Sequence, residues 1–102
     1  MIHIVAIITA KPGKRDEILK NFKANVPAVH AEKGCIEYGP AIDAESGIPV
    51  QTKLGHDSFI VVEKWESLEA LKAHAAAPHM AAYAAKTKDL LASRVIHVLS
   101  PA

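Results

Sequence analysis

A single cysteine, Cys35, stands in the whole chain, so no intramolecular disulfide can form and the fold must rest on packing alone. That fits a reducing compartment. Aromatic residues are few, at 5%. The strands in the middle of the chain are mainly aliphatic, which sets aside RNA binding on an exposed sheet, a mode that stacks bases on aromatics. Neither sign of charge dominates: 12 Lys and Arg stand against 11 Asp and Glu, a formal net charge of +1. No basic stripe of the kind nucleic acid selects is present. The densest basic group, Lys11, Lys14 and Arg15, flanks one turn and reads as a solvated helix start. No apolar run approaches the roughly 20 residues that span a bilayer. Met1 leads straight into a short apolar run ending near Ala10 with no basic segment before it. No secretory signal is therefore expected, and a soluble, cytoplasmic protein is. There is no glycine-rich phosphate loop, nucleophile elbow or dinucleotide fingerprint, so neither a flavin nor a nicotinamide cofactor is indicated.

What is present is an ordinary globular balance, 50% apolar and 23% charged, over 102 residues. That length suits one domain, residues 1–102, with one modest core. Ile2 to about Thr9 is rich in β-branched residues and reads as a strand, ended by the turn Lys11-Pro12-Gly13. From about Lys14 to Ala31, Ile18, Leu19, Phe22, Val26 and Val29 recur at helical spacing. Pro27 should kink this helix or end it early, and Gly34 reads as its stop. A second strand is expected over Cys35 to Ile42. The stretch from Asp43 to Asp57 reads mostly as loop, with Val50 to Leu54 a candidate strand arm. Ser58 to Trp65 is the clearest strand. Ser67 then suits a helix N-cap, with Leu68, Leu71 and Ala75 as the apolar stripe. Pro78 breaks that helix and starts another at its first position. Met80, Tyr83, Ala84, Thr87, Leu90 and Leu91 are expected on one face of it. Arg94 to Leu99 is the fourth strand.

The order βαββαβ is the split-βαβ, ferredoxin-like arrangement: an α+β fold with a four-stranded antiparallel sheet and both crossovers on one face. Strands one, three and four nevertheless carry large apolar residues on both faces. A sheet with one wet face should alternate apolar with polar. The uncovered face is therefore expected to meet a second copy in a two-fold homodimer, two sheets forming a barrel with the helices outside.

Six histidines are spread along the chain: His3, His30, His56, His74, His79 and His97. None pairs at the i, i+4 spacing of a zinc helix. His74 and His79 straddle the Pro78 break, where a metal site is the alternative to separate hydrogen-bonded histidines. No metal is expected. His74 sits at the edge of an apolar stripe, where an imidazole could look into a cavity and take a proton near neutral pH, or bond a backbone carbonyl at the rim of the core. Glu63 shares a strand face with Phe59, Val61 and Trp65. A carboxylate there must meet a basic partner or line a polar pocket or dimer seam. Trp65 is either core filler or a flat wall for an aromatic ligand. Tyr38 and Tyr83 either offer hydroxyls to a ligand or anchor the core. Cys35 reads as an inert thiol.

Several runs carry a resemblance: Ala10-Lys11-Pro12-Gly13-Lys14-Arg15-Asp16-Glu17, Glu32-Lys33-Gly34-Cys35-Ile36-Glu37-Tyr38, Glu63-Lys64-Trp65-Glu66-Ser67, and His74 with Pro78-His79. In this order and spacing the chain resembles the antibiotic-biosynthesis-monooxygenase family, especially its small quinol-monooxygenase-like members. The resemblance implies a dimeric α+β barrel. It also implies oxidation of a quinol-like or phenolic aromatic small molecule with molecular oxygen, with no cofactor. On this reading His74 is the catalytic base, and Trp65, His79, Tyr38, Glu63 and Tyr83 bind substrate. Trp65 would form one wall of a pocket between sheet and helices, with His74 and His79 near its mouth. Some oxygenating members carry an asparagine four residues before the Trp, where this chain has Val61. The first strand lacks the asparagine that related haem-degrading enzymes need, so haem degradation is not implied. The alternative on the same barrel is a non-catalytic small-molecule binding or sensing protein.

Overall fold

The computed structural model describes all 102 residues. Its elements are β1 (Ile2–Ala10), α1 (Arg15–His30), β2 (Cys35–Ala41), β3 (Ser58–Trp65), α2 (Leu68–Ala75), α3 (Pro78–Thr87) and β4 (Leu91–Leu99), with a single 3₁₀ turn, Lys88–Leu90, before β4. One four-stranded sheet has the order β2-β3-β1-β4, and every neighbouring pair is antiparallel. This is the expected βαββαβ, ferredoxin-like α+β arrangement.

Period-two alternation sorts the sheet into two faces. Ile4, Ala6 and Ile8 on β1 are buried, as are Phe59, Val61, Glu63 and Trp65 on β3 and Tyr38 on β2. They face the helices and meet Ile18, Leu19, Phe22 and Val29 of α1 in one core. Phe22 stacks on Tyr38 at 5.0 Å and meets Phe59 and Tyr83 edge-on. The opposite face presents His3, Val5 and Ile7, with Val62 and Ile60 beside them and Val95, His97 and Leu99 on β4. Val95 and Leu99 are exposed, and nothing in the chain covers this side.

The first helix spans Arg15–His30, close to the expected range, and does not end early at Pro27: the lost N–H removes one bond while Ala31 still closes the last turn onto the Pro27 carbonyl. Three local expectations are corrected. Val50 to Leu54 is not a strand. Asp43 accepts from the Leu54 and Gly55 N–H groups and ties the loop back on itself, so those donors have no sheet to join. Those two bonds hold the Asp43 carboxyl below its usual range. Leu68 lies 44% exposed, and the residue α2 buries is His74. Finally, α3 ends at Thr87, and Leu91 opens β4, three residues earlier than expected. Ser67 does cap α2, its hydroxyl accepting from the Ala70 N–H, and Pro78 takes the first turn of α3.

Candidate active site

Between the inner face of the sheet and the helices lies a cavity of about 780 Å³, within the range of small-molecule sites. Its walls are mainly aliphatic and aromatic: Ile4, Ala6 and Ile8 below, Phe22 and Tyr38 at one side, Met80, Tyr83 and Ala84 above. Few polar side chains reach it. Glu63 and His74 do so from β3 and α2; Thr87, Lys88 and Arg94 do so from the end of α3, the 3₁₀ turn and β4.

The polar cluster at the first of these ends is built from four elements. His74 is 5% exposed and lies against Trp65, ring centroids 4.6 Å apart and tilted 36°, with Tyr38 edge-on at 5.5 Å. Its Nδ1 is 2.8 Å from Oε2 of Glu32, and the same oxygen is 2.8 Å from Nε2 of His79. A carboxylate only accepts, so both ring nitrogens donate to it. That assigns His74 the tautomer with its proton on Nδ1 and leaves Nε2 turned toward Glu63, 3.9 Å from Oε1. Trp65, fully buried, donates its indole N–H to the same Oε1 at 2.9 Å. Burial pushes the Glu63 carboxyl up, against the smaller opposing effects of the Trp65 hydrogen bond and the nearby His74. Burial likewise drives the Tyr38 phenol far above its ordinary value, with Glu63 adding to it, and pushes Tyr83 up to about 12. The Cys35 thiol is also raised, chiefly by desolvation, then by Glu32 and Glu63, which makes it a poor nucleophile.

The chain brings Glu32 into this cluster through a backbone device. Gly34, two residues on, has φ +86, and a Cβ there would lie 2.6 Å from the Cβ of Ala70. Only glycine allows the loop to press so closely onto α2. The break at Pro78 then lets α3 start in a new direction. His74 and His79, five residues apart, would diverge on a continuous helix, where a 3.6-residue turn sets them about 140° apart. Here they converge on one oxygen.

Of the residues singled out in the sequence, His74, Glu63, Tyr38 and Tyr83 line the cavity. Trp65 and His79 are not among the lining residues: Trp65 touches His74 and donates to Glu63, both of which are, and His79, its side chain 29% exposed, bonds the Glu32 oxygen shared with His74. Glu32 itself was not foreseen as a site residue. Its partners lie 42 and 47 residues away in sequence, so no local spacing marks it. Glu32, His74 and His79 each bring a ligand atom within 4.8 Å of the others, a donor set that a divalent cation such as zinc accepts. Their 2.8 Å separations are hydrogen-bond lengths, and the three groups already satisfy one another.

Residues 1–86 match the antibiotic biosynthesis monooxygenase family model, and the chain belongs to that family. Among its relatives is the probable quinol monooxygenase YgiN of Escherichia coli K12, 36% identical over 103 residues, covering 99% of this chain and 98% of that protein. Solved structures agree in fold. PA3566 from Pseudomonas aeruginosa superposes with a TM-score of 0.81 at 25% identity, covering 99% of this chain and 93% of that one. Rv0793 from Mycobacterium tuberculosis gives 0.80 at 24% identity, covering 99% and 94%. No helix is long and apolar enough to cross a membrane.

Proposed function

We propose that this protein is a cofactor-independent monooxygenase acting on a quinol-like or phenolic aromatic, and that it works as a homodimer in the cytoplasm. The observation that carries the chemistry is the orientation of His74. Its Nδ1–H is committed to Glu32, and its free Nε2 stands on the cavity wall beside Glu63. A base held in one tautomer by a carboxylate, with its other nitrogen toward the substrate space, is the arrangement general-base catalysis requires. The substrate hydroxyl would lie against Nε2, with its ring between Tyr38, Tyr83 and the aliphatic floor. Removal of the hydroxyl proton leaves an electron-rich anion in a largely apolar space, which favours electron transfer to oxygen. The substrate supplies all the electrons: a phenol plus O₂ gives a quinone plus water, and a hydroquinone plus O₂ gives a hydroxyquinone plus water. Trp65 and His79 contribute behind the wall, Trp65 by holding Glu63 and stacking on His74, His79 by holding Glu32. Support for the dimer comes from the uncovered apolar face, where Ile7, Ile60, Val62 and Val95 stand together.

The test is oxygen uptake with hydroquinones and polycyclic phenols, with no cofactor or metal added. Uptake above autoxidation is expected, falling on the order of 10²-fold or more in His74→Ala, the usual worth of a positioned base. A second reading, a binding or sensing protein, rests on Val61, which puts an aliphatic side chain on the cavity wall where some oxygenating members carry an amide. Aromatic ligands that bind without any protein-dependent uptake would decide for it.

A further inference from the structure

The charged groups on the cavity wall are not scattered; they are sorted to its two ends. Glu63 sits in the sheet row Glu63–Ile4–Val98, and Arg94 sits in the row Arg94–Ile8–Phe59. The rows are four residues apart along the strands, about 13 Å, and the two residues are two strands apart, about 10 Å more sideways. The helical layer has the same polarity. His79 at the start of α3 belongs to the Glu32 cluster, and Lys88 follows Thr87 at the other end, nine residues or about 13 Å later. One end of the cavity therefore holds Glu63 and His74, and the other holds Thr87, Lys88 and Arg94.

Lys88 and Arg94 are the only lysine and arginine on the cavity wall. Neither has a carboxylate within ion-pair distance. Arg94 projects from the inner face of β4, the face of Ile96 and Val98, and stands close enough to Tyr83 to draw its phenol down against the larger effect of burial. Lys88 and Arg94 are both exposed at the open end of the cavity, and a cation there with no acid of its own is suited to an acid brought by a ligand. Arginine does this with two parallel donors to a carboxylate.

We propose that Lys88 and Arg94 form an anion subsite at the far end of the cavity, so that the ligand is a fused aromatic phenol or hydroquinone carrying a ring carboxylate. Its hydroxyl would face His74 and its carboxylate Lys88 and Arg94, with the apolar middle of the cavity taking the rings. This deepens the proposed function and rests on it for the hydroxyl end alone, because the subsite is a statement about binding. Charge also sets the direction of entry, since Glu63 repels a carboxylate from the His74 end.

The experiment is a calorimetric titration of the whole protein with two probes that differ in one group, 1-naphthol and 5-hydroxy-1-naphthoate, whose carboxylate lies on the ring opposite the hydroxyl. The acid is expected to bind about tenfold tighter or better, the worth of one charge-assisted hydrogen bond. Added salt should erode that preference while leaving 1-naphthol unaffected. Lys88→Gln and Arg94→Gln should each reduce it and together abolish it, with 1-naphthol binding kept as the sign of an intact cavity. Equal affinities in the wild type, or a preference that survives the double substitution, would overturn the subsite. So would failure of both probes to bind. A preference that depends on Arg94, in a protein that shows no oxygen uptake, would keep the subsite and sink only the oxygenase.

Discussion

At the scale of single residues, the site is an economy of few donors and acceptors. Glu63 is buried by the strand alternation that makes the core, and only one indole N–H and a distant imidazole offset its burial. Its carboxyl is raised in the fold, so the unfolded chain ionises first as pH rises. Its contribution to stability is therefore present at low pH and lost as pH climbs from the ordinary carboxylate value through the raised one. Glu63→Gln should accordingly melt at the same temperature as the wild type near pH 4 and higher than it at pH 8, by calorimetry at each pH. Trp65→Phe removes the indole donor and leaves the carboxylate short of a partner. It should cost about 2 kcal/mol in urea unfolding, the worth of a hydrogen bond to a charged group. Glu32→Gln tests the tautomer argument. Its amide can donate as well as accept, so His74 is no longer held with its proton on Nδ1. Nitrogen-15 NMR of the ring should then show the Nε2–H form, and kcat should fall on the order of 10²-fold with KM little changed.

At the scale of elements, turn chemistry decides where those side chains point. Gly34 combines a left-handed backbone with a contact that leaves no room for a Cβ against Ala70. Gly34→Ala should destabilise by about 2–3 kcal/mol, from backbone strain plus collision. The double variant with Ala70→Gly should lose less than the sum of the two single changes, because it removes the collision and leaves the strain. Ser67→Ala takes away the cap of α2 and should cost about 1 kcal/mol, read from the same unfolding curves. Since α2 carries His74, both variants should also loosen the imidazole.

At the scale of the whole molecule, the sheet has two apolar faces and helices enough for one. If the second face pairs with a second copy, a charge placed in its middle should separate the subunits. Val62→Lys lies there, beside Val5 and Gly39 in register. It is expected to run as a monomer by light scattering where the wild type runs as a dimer, while its helical signal is kept. A wild type that is monomeric at high concentration would remove the barrel.

Strand alternation, the helical stripe of α1, the Ser67 cap and Pro78 at a helix start were all legible in the order of residues, because each rests on neighbours within a few positions. The four-stranded topology followed from that order and the handedness of crossovers. Where Val50 to Leu54 misled, the Asp43 carboxylate eleven residues away had taken the Leu54 N–H and closed the segment into a loop. The site was half legible. His74, Glu63, Tyr38 and Tyr83 announced themselves as polar or aromatic residues on buried faces, but Glu32 did not, and nothing local showed that Trp65 and His79 meet the cavity only through their neighbours. Which surface a buried side chain turns to the cavity depends on what stands in front of it, and that is a contact between residues far apart in the chain. Local order thus settled the elements and their sequence. Only the packed structure decided that two histidines on separate helices share one carboxylate oxygen, and that the charges of the cavity lie at opposite ends.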